Sequence, residues 1–114
     1  ARLRALSRRN YAPILEEETE IDGLVLNRAS HMVRFKDIEI QFSPREFQLL
    51  DLLMKNKGQV LPRELIYERV WGLETDVTMK TIDATVKLIR KKLSLISKQN
   101  KLQSIRGVGY KFET

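Results

Sequence analysis

The chain has 114 residues, 42% of them hydrophobic, which is enough for one ordinary hydrophobic core. It has no cysteine and a single histidine, His31, which argues against a disulfide framework, a thiolate metal site and a catalytic triad. No apolar run approaches the roughly 18 residues that a membrane span needs, and the first residues are charged, unlike a signal sequence. We therefore expect one compact cytoplasmic domain with no membrane association, no cofactor and no bound metal.

The positive charge of the chain is concentrated toward its C-terminus. The formal net charge is +6, but residues 1–76 have 12 basic and 13 acidic side chains, a net of −1. Residues 77–112 have nine basic side chains and one acidic side chain, Asp83, a net of +8. Because ordinary protein surfaces mix both signs more evenly, this segment predicts a face that binds a polyanion.

The first 13 residues predict the end of a helix followed by a linker. This basic stretch places Leu3 and Leu6 on one helical face and ends at Pro13. The sequence lacks an initiator methionine, so we expect a fragment whose upstream domain is absent, with processing or cloning as the alternative explanation. We assign residues 1–13 to an upstream helix and linker and residues 14–114 to one domain.

Four short strands are predicted between Glu20 and Phe42. Apolar residues alternate with polar ones in four runs, at Ile21, 24–26, 32–35 and 38–42. Turn-forming residues separate these runs, at positions 22–23, 27–30 and 36–37. This pattern predicts a small antiparallel sheet.

Two helices are predicted after this sheet. Ser43-Pro44-Arg45-Glu46 has the layout of a capping box with proline at the first helical position. The buried face of this first helix is predicted to contain Phe47, Leu50, Leu53 and Met54. The second helix is predicted to begin at Val60-Leu61-Pro62 and to end at Gly72, with a short loop over residues 72–77 after it.

The third helix, over about residues 78–93, has the clearest pattern. Its apolar side chains are spaced alternately four and three residues apart, as on one buried face: Ile82, Val86, Ile89, Leu93 and Ile96. Its other faces are mostly basic or hydrogen-bonding. Residues 102–112 then predict a β-hairpin with Arg106-Gly107-Val108-Gly109 at its turn.

This order of elements is typical of a winged helix-turn-helix, an α+β fold. In such a fold the third helix lies in the major groove of DNA, where each base pair displays a distinct pattern of donors and acceptors. The sequence therefore favours specific binding of double-stranded DNA, with the hairpin as the wing. The alternative is a winged helix that docks an acidic protein partner, and we find no catalytic signature that would indicate an enzyme.

Candidate base-reading residues lie early on the third helix, where side chains best reach base edges. They are Lys80, Thr81, Ala84 and Lys87. Asp83 has two interpretations, because its carboxylate either orients a neighbouring basic side chain or accepts a hydrogen bond from a cytosine amino group.

Other basic residues suit contacts with the DNA backbone or the minor groove. Arg90 and Lys91 lie further along the helix and are candidates for phosphate contacts, whereas Lys92 is interpreted as solvated. Arg106 lies at the hairpin turn, and we expect its guanidinium to enter the minor groove, whose negative potential attracts arginine.

Several motifs, in this order, resemble the output domains of OmpR/PhoB-family response regulators over residues 20–113. They are residues 42–50 (FSPREFQLL), 58–65 (GQVLPREL), 70–72 (VWG), 81–83 (TID), 89–93 (IRKKL) and 106–112 (RGVGYKF). The resemblance implies a four-stranded N-terminal sheet, three helices and a C-terminal hairpin. It also implies a two-component regulator with an upstream receiver domain, of which residues 1–9 resemble the last helix.

The resemblance also implies partners and contact positions. It implies tandem dimers on direct-repeat promoter sites, a cognate sensor kinase and a contact between RNA polymerase and the loop Gly72, Leu73, Glu74, Thr75, Asp76 and Val77. By position it implies DNA contacts at Lys80, Thr81, Asp83, Ala84, Lys87, Arg90 and Arg106. The sequence departs from the family at Leu88, where relatives often have a polar or basic residue, and at Ala84 and Thr85. Pro62 replaces the usual capping residue of the second helix.

Overall fold

The computed structural model describes residues 18–72, 78–97 and 101–113, in two units that divide between Gln41 and Phe42. The N-terminal unit contains four strands: β1 (Glu18–Ile21), β2 (Leu24–Asn27), β3 (Met32–Phe35) and β4 (Ile38–Gln41). They form one sheet in chain order, and each neighbouring pair is antiparallel. The predicted four-stranded antiparallel sheet is confirmed, while the predicted helix end and linker at residues 1–13 lie outside the described residues.

Tight turns set the register of this sheet. Asp22 (φ 53°) and Gly23 (φ 88°) join β1 to β2, and two central residues with positive φ match the right-handed twist of a hairpin. The first strand begins two residues earlier than predicted, because Glu18 and Thr19 pair with residues of β2. Asn27 closes the next turn, since its side-chain oxygen accepts backbone hydrogen bonds at 2.9 and 3.0 Å.

The first helix, α1 (Pro44–Lys55), begins with the predicted capping box. The Ser43 hydroxyl accepts from the Glu46 amide at 3.3 Å, and the Glu46 carboxylate accepts from the Ser43 amide at 2.8 Å. These two bonds satisfy amides that an uncapped helix end would leave without partners. The four apolar residues predicted for its inner face are all buried: Phe47, Leu50, Leu53 and Met54.

The second helix, α2 (Arg63–Trp71), begins later than predicted. Leu61–Pro62 form a short strand, β5, which pairs antiparallel with β7 (Gly109–Glu113). The predicted helix start at Val60 was therefore wrong, because strand pairing fixes an extended backbone at these residues. Pro62 is the N-cap residue of α2 and makes no side-chain capping bond, in agreement with its departure from the usual capping residue.

The third helix, α3 (Met79–Ile96), buries the predicted apolar stripe in full: Ile82, Val86, Ile89, Leu93 and Ile96. Thr78 is its N-cap residue. The helix ends at Ile96, the last residue of the predicted stripe, and so extends past residue 93, the limit of the predicted segment 78–93. Both α1 and α2 pack against α3, so the buried stripe lies at the centre of the C-terminal unit, which begins at Phe42.

The predicted C-terminal hairpin is confirmed. It consists of β6 (Lys101–Ile105) and β7, and with β5 it forms a three-stranded sheet in the order β5-β7-β6. α1 packs against β7, and α3 packs against β6. The described part of the chain is thus a winged helix-turn-helix with the predicted sheet, three helices and wing. Among its helices, none combines the length and apolar character required to traverse a lipid bilayer.

Candidate nucleic-acid interface

One side of α3 faces away from the buried stripe. We define this outer face by five exposed side chains: Lys80, Ala84, Lys87, Leu88 and Lys91. Four of them were predicted DNA contacts, whereas Leu88 was noted as a departure from the family. Thr81 is half-buried beside this face, and its carbonyl accepts the hydroxyl of the buried Thr85 at 2.8 Å. The outer face therefore presents three ammonium groups and two apolar side chains.

Asp83 connects α3 to both α2 and the hairpin. One carboxylate oxygen accepts a hydrogen bond from the guanidinium of Arg63, at the first position of α2. The other accepts from the hydroxyl of Tyr110, on β7. Because both oxygens have partners within the chain, this geometry favours the interpretation of Asp83 as a residue that orients a basic neighbour.

The ionisation of this cluster agrees with its geometry. The hydrogen bond from Tyr110 and the hydrogen bond from Arg63 lower the pKa of Asp83, although burial acts to raise it. Burial and the bond to the Asp83 carboxylate raise the pKa of Tyr110 to about 12. Asp83 is thus ionised and Tyr110 is protonated at neutral pH, which is the state that both hydrogen bonds require.

Arg90 is directed toward the hairpin. Its Nε donates to the carbonyl of Leu102 at 2.9 Å, and a terminal nitrogen donates to the hydroxyl of Ser104 at 2.6 Å. Its guanidinium carbon lies 5.8 Å from the centre of the Tyr110 ring. Arg90 therefore joins α3 to β6, about two helical turns further along α3 than the contact of Asp83 with β7.

Lys92 is not simply solvated, so that interpretation was wrong. Its Nζ lies 2.6 Å from a carboxylate oxygen of Glu46, which is 7% exposed, and 5.1 Å from the centre of the Phe42 ring. Burial acts to raise the pKa of Glu46, but the hydrogen bonds from Lys92 and the Ser43 amide lower it below its ordinary value. This basic residue stabilises the packing of α3 on α1.

The hairpin turn presents Arg106 to solvent. The Val108 amide donates to the Ile105 carbonyl at 2.9 Å, and Gly107 has φ 78°, a conformation that favours glycine. Arg106 and the half-exposed Val108 lie at the tip. A shallow depression between this tip and α3 is lined by Arg63, Asp83, Arg106 and Tyr110, among others.

Gly109 belongs to β7, so its predicted place within the turn was wrong. A Cβ atom built on it would lie 1.9 Å from the carbonyl oxygen of Leu61, in β5. The absence of a side chain thus allows β5 to approach β7.

The predicted contact loop for RNA polymerase falls mostly outside the described residues. Gly72 is exposed and is the C-cap residue of α2. Residues 73–77, which complete the predicted loop, lie outside them.

Sequence reasoning missed Arg63 and Tyr110 as parts of this site. Neither residue has a local spacing that indicates a link to α3. The available signal was Asp83 itself, since a lone acidic residue in a basic segment requires partners that stabilise its charge. Its partners could be identified only after the helix and the hairpin had been brought together.

The chain matches known transcriptional regulators along its length. The family described as "Transcriptional regulatory protein, C terminal" matches residues 37–112. Transcriptional regulatory protein CusR of Escherichia coli strain K12 is 35% identical over 113 residues, which are 99% of this chain and 50% of that protein. Phosphate regulon transcriptional regulatory protein PhoB of the same strain is 34% identical over 114 residues, 100% of this chain and 50% of that protein.

A solved structure of a DNA-binding domain is also similar to this chain. The crystal structure of the DNA-binding domain of Bacillus subtilis CssR is 27% identical with a TM-score of 0.69, and the match covers 79% of this chain and 99% of that one. The chain spans about half the length of the curated relatives it matches.

Proposed function

The chain belongs to the family of C-terminal domains of transcriptional regulatory proteins, and on this basis we propose that it is the sequence-specific DNA-binding output domain of a two-component response regulator. The family membership agrees with the resemblance to OmpR/PhoB-type regulators in the sequence motifs. The observation that carries the proposal is the outer face of α3, where Lys80, Lys87 and Lys91 are exposed on a helix whose opposite side is buried.

We propose that α3 lies in the major groove and the hairpin at the adjacent minor groove. The major groove is about 12 Å wide and admits a helix. Lys80, Thr81, Ala84 and Lys87 then face base edges, and Lys91 faces a phosphate. Arg106 is exposed at the wing tip, where its guanidinium can enter the minor groove.

We propose a different role for Asp83 and Arg90, the two charged residues of α3 that contact the hairpin. Asp83 positions Arg63 and Tyr110, so its contribution to DNA binding is indirect. Arg90 can reach a phosphate only through N–H groups that Leu102 and Ser104 leave available. We propose that both residues chiefly fix the wing relative to α3.

For the whole protein we propose a cytoplasmic regulator of twice this length, because the curated relatives are about twice as long. Residues 1–13 would end a receiver domain that a cognate sensor kinase phosphorylates. The full protein would bind direct-repeat promoter sites as a tandem dimer, and residues 72–77 would contact RNA polymerase. The support for these partners is family membership.

Specific binding that weakens with salt is the first expected result. The 114-residue chain is used to select duplexes from a random pool, and its affinity for a selected and a scrambled duplex is measured at several salt concentrations. We expect tighter binding to the selected duplex, with a logarithmic salt slope of about −0.9 for each neutralised phosphate. Equal affinity for both duplexes would contradict the proposal, and no duplex binding at low salt would favour a domain that docks an acidic protein.

Two lysines on the outer face are expected to differ in their effect. Lys87→Ala should weaken binding to the selected duplex by about 1 kcal/mol and leave scrambled DNA less affected, because it removes a base contact. Lys91→Ala should weaken binding to both duplexes equally. It should also reduce the magnitude of the logarithmic salt slope by about 0.9, the value for one phosphate contact.

Lys55→Ala is the matched control for these two variants, since it removes an exposed lysine from α1 instead. Its binding should equal that of the unchanged chain. A uniform loss for Lys87→Ala would reassign Lys87 to a phosphate.

A further inference from the structure

The outer face of α3 has an apolar edge as well as a basic edge. Ala84 and Leu88 are one helical turn apart, and Leu88 remains 50% exposed. With about 100° between successive residues, these two side chains lie on one edge of the outer face. Lys80, Lys87 and Lys91 lie along its centre and other edge. The outer face therefore combines a leucine with cations that attract a polyanion.

An exposed leucine alone needs no explanation, because apolar atoms make up more than half of a normal protein surface. The position of Leu88 is what distinguishes it. Lys87 precedes it, and Lys91 follows it within one turn, so a polyanion bound to these ammonium groups would also cover the leucine. Its side chain has no hydrogen-bonding group, so only contact with an apolar group of that polyanion would let it stabilise the complex.

Duplex DNA displays one such group in the major groove. The C5-methyl of thymine lies on the groove edge of its base, whereas the other groups read there are hydrogen-bond donors and acceptors. We propose that Leu88, with Ala84 beside it, contacts a thymine methyl and makes this chain select thymine at that position. This inference rests on the proposed function and deepens it, since it names a chemical group that the outer face recognises.

Replacement of thymine by deoxyuridine tests the contact directly, because uracil keeps every hydrogen-bonding group and lacks the methyl. Each thymine of a selected duplex is replaced in turn, and the affinity of the 114-residue chain is measured. We expect one or two positions at which the replacement weakens binding about fourfold, the factor for loss of one buried methyl-sized group.

Variants then locate the contact on the protein. Leu88→Ala should weaken binding to the unmodified duplex by a similar factor and reduce the effect of deoxyuridine at the sensitive position. The control is Leu95→Ala, which removes another exposed leucine, 64% exposed, about 10 Å further along the helix axis. This control variant should keep the full deoxyuridine effect.

The possible failures are distinguishable. A deoxyuridine effect of equal size in the unchanged chain and in Leu88→Ala would assign the methyl contact to another residue. Specific binding with no sensitive thymine would overturn the inference and leave the proposed function intact. Absence of any preference for the selected duplex would overturn both.

Discussion

Replacement of Gly109 by alanine is expected to lower the free energy of unfolding by about 3 kcal/mol. The added Cβ would lie 1.9 Å from the Leu61 carbonyl oxygen and 2.9 Å from the Pro62 Cα, so β5 must move away from β7. Both close atoms belong to the backbone, and no side-chain rotation can relieve the contact. The measurement is urea unfolding of the variant and the unchanged chain, with the slope checked for constancy.

Gly107→Ala is the matched control for this variant. Gly107 has φ 78°, but apart from its own residue and its two chain neighbours no atom lies within 4 Å of a Cβ built there. Its substitution therefore has only the cost of a left-handed backbone, about 1 kcal/mol. Equal losses for the two variants would contradict the close approach of β5 to β7.

Glu46→Ala is expected to lower the free energy of unfolding by about 3 kcal/mol, at the low end for a broken buried ion pair. The variant leaves the Lys92 ammonium without its carboxylate, and it removes the acceptor of the Ser43 amide in the capping box. The lysine side chain is 28% exposed, so water compensates part of the loss. Glu46→Gln separates the two contributions, because its amide oxygen can still accept from Ser43. It should lose less than Glu46→Ala.

The loss in Glu46→Gln should also depend on pH in a definite direction. The folded state lowers the pKa of Glu46 from 4.5, so its ionisation stabilises the fold above that value. This contribution disappears as the pH falls through the lowered pKa, when the folded chain also protonates Glu46. The difference in stability between Glu46→Gln and the unchanged chain should therefore be full at pH 7 and shrink below about pH 4.5. A difference that stays constant down to strong acid would contradict the charged pair.

Local sequence signals predicted most of the fold correctly. The Asp22-Gly23 turn and the Ser43 to Glu46 capping box are each defined within a few residues, and the apolar stripe of α3 lies within one continuous segment, so all three are visible in the sequence. The strand at Leu61–Pro62 is different, because its partner is β7, far along the chain. A two-residue strand has no periodicity of its own, so a local pattern cannot reveal it.

Charge and spacing in the sequence predicted the basic side of the candidate site, but they did not predict the side-chain contacts that join it to other elements. The net charge of residues 77–112 identified the basic segment, and helical spacing placed Lys80, Lys87 and Lys91 away from the buried stripe, but it did not show that Lys92 is half-buried. Spacing could not show that Arg90 extends to β6 or that Lys92 extends to Glu46. Both side chains are long, and their directions depend on groups that come close only when the elements pack.

The contacts of Asp83 and Arg90 with the hairpin have a consequence for DNA sequence preference. They join α3 to the wing at two places, so the protein itself sets the separation between α3, which we propose lies in the major groove, and Arg106, which we propose enters the minor groove. A duplex of the proposed kind must then adjust its own groove width and bend to meet both elements. Flexible base steps between the two grooves would require less deformation energy, so preferred sites would differ from other sites at base pairs that no side chain touches.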